Sequence, residues 1–173
     1  MAYPQGPYNQ TVLSCLPACG VAYARTTKTT KEFTLPQNWL EFHTTCHHKN
    51  EALFELADTF LTTTSYLKMP LLFSVWGHTY ELDDMDQWGR MEELFALLSG
   101  KNEVWFATNI EICDYVKAYE ALQFSCDLTS VYNPTATPVS FALFSRKELM
   151  PEVTVQPGEL CDLKKIIAEA KAR

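Results

Sequence analysis

The sequence lacks a long apolar run, a paired-cysteine motif and any excess of positive charge. No run approaches the roughly 18 apolar residues that a membrane-spanning helix needs, so no membrane association is expected. Six cysteines are scattered through 173 residues without a Cys-x-x-Cys pair, which excludes zinc-ribbon and thioredoxin motifs. Acidic residues outnumber basic ones by 21 to 14, and the net charge of −7 is spread along the chain, so nucleic acid is not an expected partner.

A signal peptide and an internal repeat are also missing from the sequence. Without a leader to an oxidising compartment, the cysteines are predicted to be reduced thiols and the protein to be cytoplasmic. What is present is a composition that is 47% hydrophobic and 13% aromatic, as in a packed globular protein. The length is that of one domain with a sizeable core.

Helix and strand signals alternate over the first two thirds of the chain. Asn9 is placed to cap the first helix, and Thr108-x-x-Glu111 matches the capping box of another. Helices are predicted over 11–19, from 50, from 86 and over 108–122, and strands over 21–24, 73–76 and 104–107. The segment 26–31 is predicted to be a polar loop. This alternation predicts a parallel sheet with crossover helices, followed by a β-rich region from Phe124 and a final helix from Leu163.

The apolar run that ends at Gly77 presents His78 at the end of a predicted strand. Ligands of alternating strand-helix folds collect at the carboxyl ends of strands. An imidazole has an ordinary pKa near 6.5 and exchanges protons close to neutral pH. His78 is therefore a candidate catalytic acid or base, and the alternative is a hydrogen-bonded structural histidine.

Three of the four histidines, His43, His47 and His48, lie within six residues of one another. Imidazole is a common zinc ligand, and a His-x-x-x-His pair shares one face of a helix. The intervening threonines are poor helix formers, and no glutamate stands where a His-Glu-x-x-His protease carries its base. A metal site, a pocket lining and an ordinary polar loop stay open as alternatives. A zinc site here requires a carboxylate such as Glu81 or Asp83 to complete it.

Six short motifs follow one another between Met1 and Val139. They are Tyr3-Pro4-Gln5-Gly6, Tyr23-Ala24-Arg25-Thr26, Thr45-Cys46-His47-His48, Val75-Trp76-Gly77-His78-Thr79-Tyr80-Glu81, Trp105-Phe106-Ala107-Thr108-Asn109-Ile110-Glu111 and Val131-Tyr132-Asn133-Pro134. In this order they resemble the carboxyl half of bacterial polysaccharide deacetylases, carbohydrate esterase family 4. The resemblance implies a distorted (β/α) barrel that removes acetyl groups from N-acetylated sugars with a divalent metal, usually zinc.

The resemblance also implies roles for particular residues. His78 matches the general acid that protonates the leaving amine, and Trp76 matches a wall of the acetyl pocket. Gln5 matches the residue whose backbone N–H contributes to the oxyanion hole. Four more residues fall in the motifs that line the substrate pocket: Tyr3, Arg25, His47 and Glu81.

Part of the family's catalytic set is not matched. Its base aspartate and its two metal-binding histidines stand upstream of the Tyr-Pro motif, at which this sequence begins. No metal site is therefore expected in this chain, and His43, His47 and His48 stay as candidate ligands. We expect a polysaccharide deacetylase-like hydrolase of N-acetyl bonds that is incomplete alone, acting on an N-acetylated oligo- or polysaccharide. The alternative is a non-catalytic carbohydrate-binding or interaction module derived from that fold.

The expected fold class is α/β, a partial, distorted (β/α) barrel of the polysaccharide deacetylase type with a β-rich C-terminal segment. Residues 1–145 are predicted to form the deacetylase-like domain, and residues 146–173 a hairpin and helix extension. A barrel without its first strands exposes a sheet edge at 21–24, which another chain, a helix or self-association must cover. A homo-oligomer or a companion chain is therefore expected.

Overall fold

A computed structural model describes residues 1–63, 69–145 and 148–171 of the chain. The architecture mixes helices and strands, which confirms the α/β class in its general form. The chain divides into two compact units, Met1–Ala107 and Thr108–Arg173. This division lies earlier in the chain than the predicted boundary between residues 145 and 146.

The first unit contains short parallel strand pairs and helices. Its helices are α1 (Gln10–Cys15), α2 (Leu53–Thr62), α3 (Thr79–Asp84) and α4 (Trp88–Leu98). Its strands are β1 (Arg25–Thr29), β2 (Phe42–Thr44), β3 (Cys46–His47) and β4 (Val75–Trp76). β1 pairs with β2 and β3 pairs with β4, both in parallel. The predicted parallel pairing is confirmed, but no barrel closes among the described residues.

The first predicted strand was placed wrongly. Residues 21–24 are not a strand, and the pairing begins at Arg25 and runs through the threonine-rich segment that was predicted to be a loop. β-branched threonines favour extended backbone, so the polarity of this segment was a poor guide to its conformation. The exposed strand edge expected at 21–24 therefore does not exist in that form.

Residues 104–107 are not a strand either. They follow a turn closed by a hydrogen bond from Val104 N–H to the Lys101 carbonyl, and they pair with no described strand.

The first helix begins where the sequence predicts. The Asn9 side chain accepts a hydrogen bond from Val12 N–H at 3.0 Å, as an N-cap residue does. The α-helix ends at Cys15 and not at residue 19, because Pro17 cannot continue the ladder and starts a 3₁₀ turn. Gly20, at φ 75°, then terminates the turn in a left-handed conformation.

A helix that the sequence analysis did not predict, α3, follows His78. The predicted helix from residue 86 begins at Trp88 as α4, while the acidic segment before it forms α3. The Glu81 carboxylate accepts a hydrogen bond from His78 N–H at 3.0 Å, which satisfies a free donor at the start of the helix. This contact turns Glu81 back toward the end of β4.

The core of the first unit packs α2 and α4 around β3. Its buried members are Cys46, Leu53, Ala57, Leu94 and Leu98. Burial raises the pKa of the Cys46 thiol to about 11, so this cysteine is a structural hydrophobe. All six cysteines are free thiols, as predicted.

The second unit is largely antiparallel. It contains the helices α5 (Asn109–Glu120) and α6 (Leu163–Lys171) and the strands β5 (Gln123–Phe124), β6 (Ser130–Tyr132), β7 (Val139–Ser145), β8 (Glu148–Val155) and β9 (Leu160–Asp162). The sheets are β5-β6-β9 and β7-β8. The capping box of Thr108 and Glu111 is confirmed, with Thr108 N–H donating to the Glu111 carboxylate at 2.7 Å. The predicted β-rich C-terminal region is confirmed as well.

None of the helices in the described ranges combines the length and the hydropathy of a transmembrane span.

Candidate metal centre

Three polar side chains of the first unit converge on one point. His47 Nε2 and His48 Nε2 lie 3.4 and 3.1 Å from the same atom, Glu81 Oε2. One ligand atom from each of the three residues lies within 4.8 Å of the others. Imidazole nitrogen and carboxylate oxygen are the donors that zinc and related divalent cations prefer.

The local fold places these side chains through two parallel strands that end together. His47 in β3 is in register with Trp76 in β4, and His48 N–H donates to the Trp76 carbonyl at 2.9 Å. Immediately after β4 the chain passes Gly77 and enters α3, which carries Glu81. A Cβ atom on Gly77 would stand 1.9 Å from His48 Cδ2, so this close approach requires glycine.

Glu81 is an anion held by several donors. Lys49 Nζ lies 2.5 Å from Glu81 Oε1, while Oε2 receives His78 N–H and faces the imidazoles. The hydrogen bond from Lys49, followed by those from His48 and His78, lowers the pKa of Glu81 to about 2. The carboxylate is therefore charged throughout the physiological range.

The two imidazoles have different surroundings. Burial lowers the pKa of His47, and the neighbouring His48 lowers it further, so His47 is neutral at neutral pH, the form that binds metals. Its Nδ1 accepts a hydrogen bond from Lys49 N–H at 3.1 Å. His48 is almost fully buried, and its Nδ1 has no hydrogen-bond partner among the described residues.

Two of the three separations between donor atoms are close to those around a small divalent cation. Two ligands of a tetrahedral zinc ion, each about 2.0–2.2 Å from the metal, lie about 3.3–3.6 Å apart. The observed separations from Glu81 Oε2, 3.1 and 3.4 Å, fall close to this range.

The hydrogen bond at His47 Nδ1 opposes metal binding, because it favours the tautomer with its proton on Nε2. Releasing it costs about 0.5–1.5 kcal/mol, which a cation bound at His47 would have to offset. His48 is the weaker ligand, because its Nδ1 lacks the carbonyl or carboxylate acceptor that usually orients a ligating imidazole.

Two of the predicted pocket residues lie directly beside this group. The Trp76 ring meets the His47 ring edge-on, with centroids 4.5 Å apart. Arg25 Cζ lies 4.6 Å from the Trp76 centroid in a cation–π contact. The structure thus places Arg25 against Trp76, Trp76 against His47, and His47 near Glu81.

His78 stands at the start of α3 with its side chain exposed. Its ring stacks on Tyr80 at 5.2 Å and lies 6.2 Å from the Trp76 ring. An imidazolium at His78 would lower the pKa of His47 further, which reflects the proximity of the two rings. The role of His78 as an acid stays a prediction.

The remaining predicted residues lie elsewhere. Tyr3 is buried, and its hydroxyl donates to the Leu40 carbonyl at 2.7 Å, which makes it part of the core. Gln5 is exposed at φ 56°, a left-handed conformation that is uncommon outside glycine. His43 Nδ1 lies 2.7 Å from Thr26 Oγ1, and His43 is not a member of the converging group.

Sequence reasoning missed the importance of Lys49 and of Gly77. Lys49 directly follows the two histidines. Glu81 is the third residue of α3, and its side chain accepts from the N-cap residue, His78. Recognition of α3 from the sequence would have placed Glu81 at a helix start, with its carboxylate directed back to His78 N–H. The sequence analysis named Glu81 among the carboxylates that a zinc site would require, but no pattern fixed its contact with His47 and His48.

Replacing Gly77 with alanine should destabilise the protein. The added methyl group would collide with the buried His48 ring, and overpacking of this kind costs about 1–3 kcal/mol. Urea unfolding of Gly77→Ala measures the loss. Gly89→Ala is the matched control, because nothing lies within 4 Å of a Cβ there and alanine in α4 should stabilise by about 0.5–1 kcal/mol. Equal stabilities of the two variants would contradict the close packing at Gly77.

The contribution of Glu81 to stability should depend on pH. Because folding lowers its pKa from 4.5 to about 2, the stabilisation is complete above the ordinary value and is lost as the pH falls toward about 2. The difference in unfolding free energy between the parent and Glu81→Gln should therefore shrink between about pH 5 and pH 2. Denaturant titrations at several pH values measure it, and a difference that does not change with pH would refute the assignment.

No protein-family model, no curated protein and no solved structure matches the chain. The resemblance to polysaccharide deacetylases consequently rests on the order of six sequence motifs. A proposal of function depends on that order and on the geometry around Glu81.

Proposed function

We propose that this protein is a metal-dependent hydrolase that cleaves the amide bond of N-acetylated sugars and binds its cation through His47, His48 and Glu81. The observation that carries the proposal is the approach of both Nε2 atoms to one carboxylate oxygen, at 3.4 and 3.1 Å. The donor set favours zinc. The substrate class, an N-acetylated oligo- or polysaccharide, comes from the order of the sequence motifs.

A cation in a site of two histidines and one carboxylate supplies the Lewis acidity that amide hydrolysis needs. The chain prepares this site by keeping Glu81 ionised and His47 neutral. Lys49 holds Oε1 of Glu81 and leaves Oε2 directed at the imidazoles. Binding of a cation would displace the imidazole contacts of Oε2 without displacing Lys49.

The proposal gives Trp76 and His78 the roles that the sequence resemblance implies, an acyl wall and a proton donor. The Trp76 ring covers one side of His47, so an acetyl methyl group packed on it would lie beside the candidate ligands. The exposed His78 ring is accessible to a leaving amine. In this proposal His78 holds the proton that the amine takes up.

A second function is favoured by a separate observation. Lys49 already balances the charge of Glu81 without a cation, and the stacked, exposed rings of His78 and Tyr80 offer an aromatic surface. Aromatic faces of this kind pack against sugar rings. A carbohydrate-binding module without turnover is therefore the alternative.

Zinc binding should require the three converging residues. Titration calorimetry of the metal-free protein should detect one site, and His47→Ala or Glu81→Gln should weaken it by about tenfold or more. His43→Ala is the matched control, since His43 lies outside the group, and its affinity should stay within about twofold of the parent. A parent that binds no zinc, or a His47→Ala variant with unchanged affinity, would refute the metal site.

Acetate release from N-acetylglucosamine oligomers with added zinc tests the reaction itself. Loss of a general acid lowers the rate by about 10²–10⁴-fold, so His78→Ala should lose most of the turnover while retaining zinc affinity. His43→Ala should retain both. A parent that binds zinc and the oligomer but releases no acetate would support the binding module, and full turnover in His78→Ala would exclude the role given to that ring.

A further inference from the structure

Arg25 places a positive charge beside the candidate metal centre without a negative partner. The guanidinium is half-buried against Trp76 and forms no ion pair with any carboxylate in the described ranges. Burial lowers its pKa, but a guanidinium stays charged at neutral pH. Taking a charge partly out of water without an anionic partner costs free energy. This points to a ligand that supplies the missing anion.

The other cations around the group are engaged in the fold. Lys49 binds Glu81. Arg90 donates to the carbonyls of His48 and Asn50 at 3.3 and 2.8 Å and so fixes the loop that carries the histidines. The Arg25 guanidinium donates to a single protein acceptor in the described structure, the Thr26 carbonyl, at 3.1 Å. Most of the five N–H donors of the guanidinium can therefore bind a ligand.

The backbone holds Arg25 in place before any ligand arrives. Arg25 N–H donates to the Met1 carbonyl at 2.9 Å, and the Arg25 carbonyl accepts Tyr3 N–H at 3.1 Å. The guanidinium plane is supported by Trp76, which in turn touches His47. A guanidinium fixed in this way loses little conformational entropy when it binds an anion. It presents its N–H donors in one plane, in the forked arrangement that matches two oxygens of an oxyanion.

We propose that Arg25 anchors an oxyanion, a carboxylate or a phosphate, carried by the substrate. The preferred substrate of the proposed hydrolase is then an acidic N-acylated sugar and not a neutral one. This identification of the substrate rests on the proposed function. The anion site itself needs no metal, so the two ideas are tested separately.

Calorimetric titration of the metal-free protein tests the anion site with three probes: glucuronate, glucose 6-phosphate and glucose. At least one of the anions should bind about tenfold more tightly than glucose, and the stronger one identifies the group as a carboxylate or a phosphate. Arg25→Gln should weaken that binding by about tenfold. Lys28→Gln removes an exposed cation from the same strand and should change it by less than about twofold.

Thermal unfolding of Arg25→Gln tests whether the variant is folded. Should it not fold, Arg25→Lys keeps the charge and loses the fork, and it should bind the anion more weakly than the parent. Anion affinity that survives either folded variant unchanged, or that equals the affinity for glucose, would overturn the proposal, as would a parent that binds neither anion. A parent that binds the anion but not zinc would refute the metal centre alone, and the reverse result would refute the role of Arg25 alone.

Discussion

The fold of the first unit depends on the donors that balance the negative charge of one carboxylate, that of Glu81. Glu81 receives Lys49, the backbone N–H of His78 and the imidazole of His48 in a half-buried position. A half-buried carboxylate loses part of its hydration and is stabilised when donors occupy its lone pairs, so these contacts fix where α3 begins. They also tie α3 to the loop after β3. A structural requirement and a candidate site are thus met by the same atoms.

Backbone geometry makes this compensation possible. β3 and β4 are parallel and end side by side, so the residues that leave them, His48 and Gly77, lie against each other. A residue with a Cβ at position 77 would push the His48 ring away from Glu81. Arg90 supports the same loop from α4 by binding two of its carbonyls. The group is held by strand, loop and helix together, as a binding site that must keep a fixed geometry requires.

The contacts of Glu81 also bear on the histidine cluster seen in the sequence. The His-x-x-x-His spacing joins His43 to His47. In the structure His43 bonds to Thr26 of β1 instead, because His43 lies in β2, which pairs with β1, whereas His47 lies in β3, which pairs with β4. The adjacent pair His47 and His48 meets Glu81 since the strand ends between them and the chain turns.

Local chemistry in the sequence determined the helix caps at Asn9 and Thr108, the helices of the two cores, the β-rich C-terminal region and the presence of His78 at a strand end. These features depend on neighbours a few residues apart, which a linear pattern records. Only the tertiary structure decided that Glu81 meets His48, 33 residues earlier in the chain, and that Arg25 rests on Trp76. Such meetings depend on strand register and helix direction, since a shift of one residue turns every side chain to the other face.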